Sequence, residues 1–176
     1  ESCTIPEVYN NEVQDTTCDI TTPNIIGNDN TPIVLGYSKG KSDPSKADFK
    51  MNTKLTLNKD LDGTSFFAIT KNNPITYQVS YKKNGPGILE ISKENDSCTI
   101  PSSYNGVKQE TSCRVDAPDI GVDVGYTDIG WNFDATSHES VVKNGTIEIS
   151  QDSILYTISR KNSLTYKANF HKSGLG

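Results

Sequence analysis

The sequence of 176 residues predicts a mainly β fold: two small tandem domains, each closed by its own disulfide. Three observations predict it. Residues 2–25 match 97–120 without a gap at 12 of 24 positions. A second gapless block, 66–87 against 155–176, shares Thr76-Tyr77 with Thr165-Tyr166 and Gly85-x-Gly87 with Gly174-x-Gly176. The chain thus repeats with a period of roughly 85–90 residues. Finally, apolar residues alternate with polar ones in short runs, and no segment sustains a helical period.

Each copy carries two cysteines, Cys3 with Cys18 and Cys98 with Cys113, with fourteen residues between the two. Zinc sites use short Cys-x-x-Cys knuckles or nearby histidines, and neither occurs here. We therefore expect one disulfide in each copy. A domain this small buries only about 60–65% of its unfolded surface, so a crosslink contributes much of its stability. Closing a loop of this size adds about 3 kcal/mol in the chain-entropy account. Disulfides imply an oxidising, extracellular setting.

The charge balance, 17 basic against 22 acidic residues, gives a net charge of −5. No basic cluster suits nucleic acid or anionic lipid, and no apolar run reaches membrane-spanning length. Neither a nucleic-acid partner nor membrane insertion is expected. The sequence shows no signal peptide or sorting motif and reads as an excerpt from a longer secreted or surface chain.

In chain order, Cys-Thr-Ile-Pro opens each copy and a polar arc follows, residues 7–17 and 102–112. Tyr9 and Tyr104 recur in these arcs, where packing over the disulfide is preferred to ligand binding. Ile33, Leu35 and Tyr37, matched by Thr127, Ile129 and Trp131, alternate as a strand with one buried face. The glycine before each aromatic permits a bulge or a close backbone approach. Trp131, the single tryptophan, reads as a core anchor rather than a sugar-stacking platform, because Tyr37 takes the same place. Residues 38–54 and 132–145 are the variable connections, with a turn at 42–45.

The runs 54–57 with 66–69, and 146–149 with 155–158, read as hairpins. Between the first two, Asn58-Lys59-Asp60-Leu61-Asp62-Gly63 matches the opening of a calcium loop. The twelfth loop position would need a carboxylate, yet it is Ile69. An Asp/Gly-rich turn is the better reading, with Asn58, Asp60 and Asp62 as the calcium candidates. Residues 76–81 and 165–170 alternate most cleanly, setting Tyr77, Val79 and Tyr81, and likewise Tyr166, Ala168 and Phe170, on one face. Residues 88–91 form a further short strand.

The order Tyr-x-Val-x-Tyr then Asn-Gly (77–85), Pro-x-Ile (118–120), Gly-Tyr-x-x-x-Gly-Trp (125–131) and Ile-x-Ile-Ser then Leu-Tyr-x-Ile (147–158) resembles the internalin-type B-repeat, or Listeria–Bacteroides repeat, of bacterial surface proteins. The likeness covers most of 75–161 and, more faintly, 1–74. It implies a β-grasp-like unit serving as a spacer or interaction module without catalysis. Two features depart from that family: the cysteine pair, and Tyr37 where the family has tryptophan. An Ig-like β-sandwich is the alternative.

The function expected is therefore that of a non-catalytic stalk or spacer on a bacterial surface, with neighbouring repeats as partners. The alternative is an adhesin or lectin-like module that contacts host protein or glycan through Trp131, Tyr9 and Tyr104. His138 and His171 occupy unmatched places, no nucleophile–base pair is visible, and no cofactor is implied. Asn95-Asp96-Ser97 and Asn144-Gly145-Thr146 are glycosylation sequons by pattern.

A repeat fixes the period and leaves the phase open. Units of 1–87 and 88–176 coincide with the ends of the chain and are the preferred reading. The family order instead starts each unit at the Thr-Tyr strand, giving 1–74, 75–163 and an extra strand 164–170. Under that phase, the extra strand of one molecule fills the first unit of another.

Overall fold

The computed structural model describes residues 1–26, 32–40 and 45–174. The expected turn at 42–45 and the end of the Gly174-x-Gly176 turn lie largely outside them. Two compact units emerge: Glu1–Ile75 with Ile100–Thr111, and Thr76–Thr99 with Ser112–Gly176. Both are built of β-strands, and the helical element among the described residues is one 3-10 turn, Lys59–Leu61.

Four strands form the first unit: β1 (Cys18–Thr21), β2 (Ile33–Ser38), β3 (Lys54–Leu57) and β4 (Phe67–Lys71). Strand β1 pairs antiparallel with β3, and β2 antiparallel with β4. The hairpin expectation is thus corrected: β3 and β4 follow one another but do not pair. Asn58 explains why. Its side chain accepts from the Asp60 and Leu61 amides at 3.1 and 3.2 Å, capping a 3-10 turn instead of a tight reversal. Each strand then takes a distant partner, in the register Cys18↔Leu57 and Ile20↔Leu55.

The β2–β4 ladder skips Leu35, between Val34 and Gly36. This bulge ends the plain alternation expected of Ile33, Leu35 and Tyr37, and leaves Ile33 48% exposed while Tyr37 is buried. Gly36 sits at φ 141°, and a Cβ there would lie 2.2 Å from the Phe49 carbonyl oxygen. The missing side chain lets residue 49 cross the strand, so that the Tyr37 amide donates to the Phe49 carbonyl at 2.8 Å. Residues 100–111 complete this unit through the bridge Lys71↔Tyr104 and bonds described below.

The second unit holds β5 (Ile75–Lys82), β6 (Ile88–Ile91), β7 (Asn95–Ile100), β8 (Cys113–Asp116), β9 (Ile120–Val122), β10 (Tyr126–Asn132), β11 (Thr146–Ile149) and β12 (Ser153–Lys161). Four of these make a mixed sheet in the order β10-β12-β5-β7, in which β12 runs antiparallel to β10 and parallel to β5. The ladders β8–β11 and β6–β9 are separate. Here too the expected hairpin gives way, since β11 pairs with β8 and β12 with β10 and β5.

The inward face of β5 follows its alternation, with Val79 and Tyr81 buried and Tyr77 partly so. They join Trp131, Leu155, Ile147, Ile149, Val115 and Cys98 in one core. The Tyr81 and Trp131 rings meet edge to face at 5.0 Å, a favoured aromatic geometry. Residues 165–170, expected as a strand, are not in one. Tyr166 and Phe170 are 87% and 95% exposed. A lone strand has no ladder to satisfy its backbone and no surface to cover its apolar face.

Candidate functional site

Matched positions in the two units adopt the same local geometry. Cys3 and Cys18 are bonded, as are Cys98 and Cys113, each pair with 5.9 Å between Cα atoms. The ladder Cys18↔Leu57, Ile20↔Leu55 has its counterpart in Cys113↔Ile149, Val115↔Ile147. The bulge recurs between Asp128 and Gly130, where the Trp131 amide donates to the Val142 carbonyl at 2.7 Å.

What differs is the covering. In the first unit Cys3, Ile20, Tyr37, Leu55 and Leu57 line an apolar groove of about 470 Å³. Their matches Cys98, Val115, Trp131, Ile147 and Ile149 are all buried, in a core that includes Val79 and Tyr81 of β5. Cys3, Ile20 and Leu57 remain only partly buried. The first unit contributes no strand corresponding to β5 among its described residues.

Residues 64–66 lie outside any strand, whereas the matched Ser153 and Leu155 pair with Val79 and Tyr81. The groove is lined wholly by described residues of the first unit. A second, polar cavity in the other unit is lined by Asn84, Thr157 and the 135–140 loop. His138 is among its lining residues.

The sequence-nominated residues fall in different places. Trp131 is fully buried and donates its indole N–H to the Pro118 carbonyl at 2.9 Å, leaving no face for a ligand. Tyr9 is 67% exposed, and its hydroxyl donates to Glu7 at 3.1 Å. Tyr104 is half-buried at its bridge with Lys71. Tyr9 and Tyr104 belong to the first unit and Trp131 to the second. Asn58 is committed to its cap, while Asp62 lies at the groove rim. No cluster of three or more His, Cys, Asp or Glu side chains suited to a metal occurs among the described residues.

The polar arcs carry organisation that sequence reasoning missed. In each, the Gln side chain donates to the carbonyl of the motif proline at 3.0 Å: Gln14 to Pro6, and Gln109 to Pro101. Asn10, Asn11, Asn105 and Gly106 all have positive φ, and the amides of Glu12 and Val107 close tight turns on Tyr9 and Tyr104. The repeated Tyr-Asn pair with a Gln five residues beyond the Tyr was the available signal. Nearby charges are exposed. Asp19 is held below the usual carboxylate range by Lys54 at 2.6 Å and then by the Thr56 hydroxyl. Asp48 is lowered by the Ser38 hydroxyl and the Lys39 amide.

The chain is mainly β and carries two disulfides. No protein-family model, curated protein or solved structure matches the chain.

Proposed function

We propose that this chain is a pair of non-catalytic repeat modules that act as a stalk or spacer in a bacterial secreted or cell-surface protein. One observation carries the reading: the matched positions serve the scaffold. They supply the disulfides, the bulge glycines Gly36 and Gly130, and the Gln–Pro bonds of the arcs. The connections 38–54 and 132–145, by contrast, share little between copies. A module repeated for ligand binding would repeat surface groups, whereas a module repeated for length repeats its frame.

The parallel β5–β12 pair at the middle of the sheet favours a β-grasp-like arrangement over an all-antiparallel Ig-like sandwich. Two disulfides suit an oxidising compartment outside the cytoplasm. Single-molecule stretching tests the proposal. A spacer should unfold in two discrete steps, each lengthened on reduction by release of its cysteine loop. Saturable binding to a glycan or matrix-protein array, lost on Tyr9→Ala or Tyr104→Ala, would overturn it in favour of a binding module.

A further inference from the structure

We infer that Asn144 is a site of spontaneous covalent modification, converting to aspartate and isoaspartate, while the fold protects the other two Asn-Gly pairs of the chain. Asn-Gly occurs at 84–85, 105–106 and 144–145. In each pair the glycine amide nitrogen can attack the asparagine Cγ, unhindered because glycine has no side chain. A C–N bond forms, the Cγ–Nδ2 bond breaks, and the proton of the attacking nitrogen leaves with the departing ammonia. Water then opens the resulting cyclic imide at one of its two carbonyls. One opening gives aspartate; the other gives isoaspartate, in which the main chain runs through the side-chain carbon. The step requires that the side chain and the following amide both be free to swing together.

Three environments separate the three pairs. The Asn84 amide donates to the Thr157 hydroxyl at 2.6 Å, which donates in turn to the Asn84 carbonyl at 2.5 Å. The Asn84 side chain donates to the Ala135 carbonyl at 2.8 Å, and a Cβ on Gly85 would meet the Ser159 hydroxyl at 2.7 Å. Asn105 is also held. Its amide donates to the Thr70 carbonyl at 3.0 Å, and its side-chain oxygen accepts from the Thr70 amide at 3.1 Å. The Val107 amide closes the turn through Gly106 on the Tyr104 carbonyl at 3.0 Å. Asn144 has no such restraint. It is exposed, its side chain bonds to nothing among the described residues, and a Cβ on Gly145 would meet nothing within 4 Å. The Gly145 carbonyl accepts from the Ala117 amide at 2.8 Å, but the Gly145 amide donates to no group among the described residues. Two residues before Asn144, the Val142 carbonyl accepts from the Trp131 amide at 2.7 Å. Isoaspartate at 144 would lengthen the main chain beside that crossing, and either product makes the net charge of −5 more negative. The inference is independent of the spacer reading.

The test is incubation of the folded 176-residue chain at mildly alkaline pH, with acid digestion and peptide mass mapping at intervals. Isoaspartate is counted by enzymatic methyl transfer to its free carboxylate. Conversion at Asn144 should outrun that at Asn84 and Asn105 by about tenfold or more, because each of those must first break its hydrogen bonds in a local opening. In urea the three rates should converge to within about threefold, since the unfolded chain no longer distinguishes the pairs. Asn144→Gln should remove the early acidic species and leave the circular dichroism unchanged. Equal rates at the three sites in the folded chain, earlier conversion at Asn84 or Asn105, an Asn144 that stays intact, or early acidic species that persist in Asn144→Gln would each overturn the inference.

Discussion

Trp131 donates its indole N–H to the carbonyl of Pro118, and in the other unit Tyr37 donates its hydroxyl to the carbonyl of Pro23, at 2.9 and 3.2 Å. The two aromatics differ in size and chemistry, yet each stands after a bulge glycine and donates to the carbonyl of a matched proline. A large ring can be buried at this point because its one polar atom finds that acceptor. The relationship separates two contributions of Trp131. Trp131→Ala should destabilise the second unit by about 3–5 kcal/mol, through the cavity it leaves. Trp131→Phe fills most of the space but strands the Pro118 carbonyl, and should cost about 1–3 kcal/mol. Denaturation followed by circular dichroism checks both. A midpoint unchanged by either substitution would refute the core role.

Gly130 tests the bulge that positions the ring. It has φ 129°, and a Cβ there would lie 2.4 Å from the Val142 carbonyl oxygen. Gly130→Ala should therefore cost about 2–4 kcal/mol, combining backbone strain with a clash against a crossing segment. Gly145, at φ 110° with nothing within 4 Å of its added Cβ, is the control for strain alone. Gly145→Ala should cost about 1–2 kcal/mol in the same urea titration. Equal losses at the two sites would mean that the close approach contributes nothing.

The disulfides should be found within each copy. Non-reducing peptide mapping is expected to give Cys3 linked to Cys18 and Cys98 linked to Cys113, as in the structure. A peptide joining Cys18 to Cys98 would contradict the fold. Reduction should lower the stability of each unit by about 3 kcal/mol, the value expected for a loop of this length.

These residues also show what can be read from a sequence of this kind. Strands β2 to β4 and their matches are visible because apolar alternation reports which face of a strand is buried. The bulge was visible because Gly36 and Gly130 each precede an aromatic. Pairing was not. Alternation is silent about partners, so Lys54–Leu57 was assigned to the next strand along the chain, whereas its ladder is with Cys18–Thr21. Likewise 165–170 has the pattern of β5 but is not a strand, because a strand requires a neighbouring edge that local residues do not encode. The groove could be anticipated only through the repeat, by asking which matched strand the first unit lacks. The Gln109–Asn73 bond joins positions 36 residues apart, and no local pattern marks it.

The last prediction concerns pH and rests on Tyr81. Its ring is 1% exposed, and its hydroxyl donates to the Asp116 carbonyl at 3.4 Å. Burial foremost, then the negative charges of Asp96 and Asp116, push its pKa up from 10.0 to about 12. Ionisation would place a phenolate in the apolar core against Trp131. The folded unit thus holds the phenolic proton more tightly than the unfolded chain does. Stability linked to that proton is complete below pH 10 and is lost as pH rises through about 12. The total at stake is about 2–3 kcal/mol. An absorbance titration of phenolate follows the ionisation. Tyr81 should ionise only as the second unit unfolds, giving a late, cooperative step. Tyr81→Phe should lose that alkaline step, at the expense of the Asp116 bond. Asp96→Asn removes the larger of the two repulsive charges, narrows the gap between the folded and unfolded states, and should reduce the stability lost at alkaline pH. Ionisation of Tyr81 near pH 10, with the unit still folded, would show that it is not buried as the structure has it.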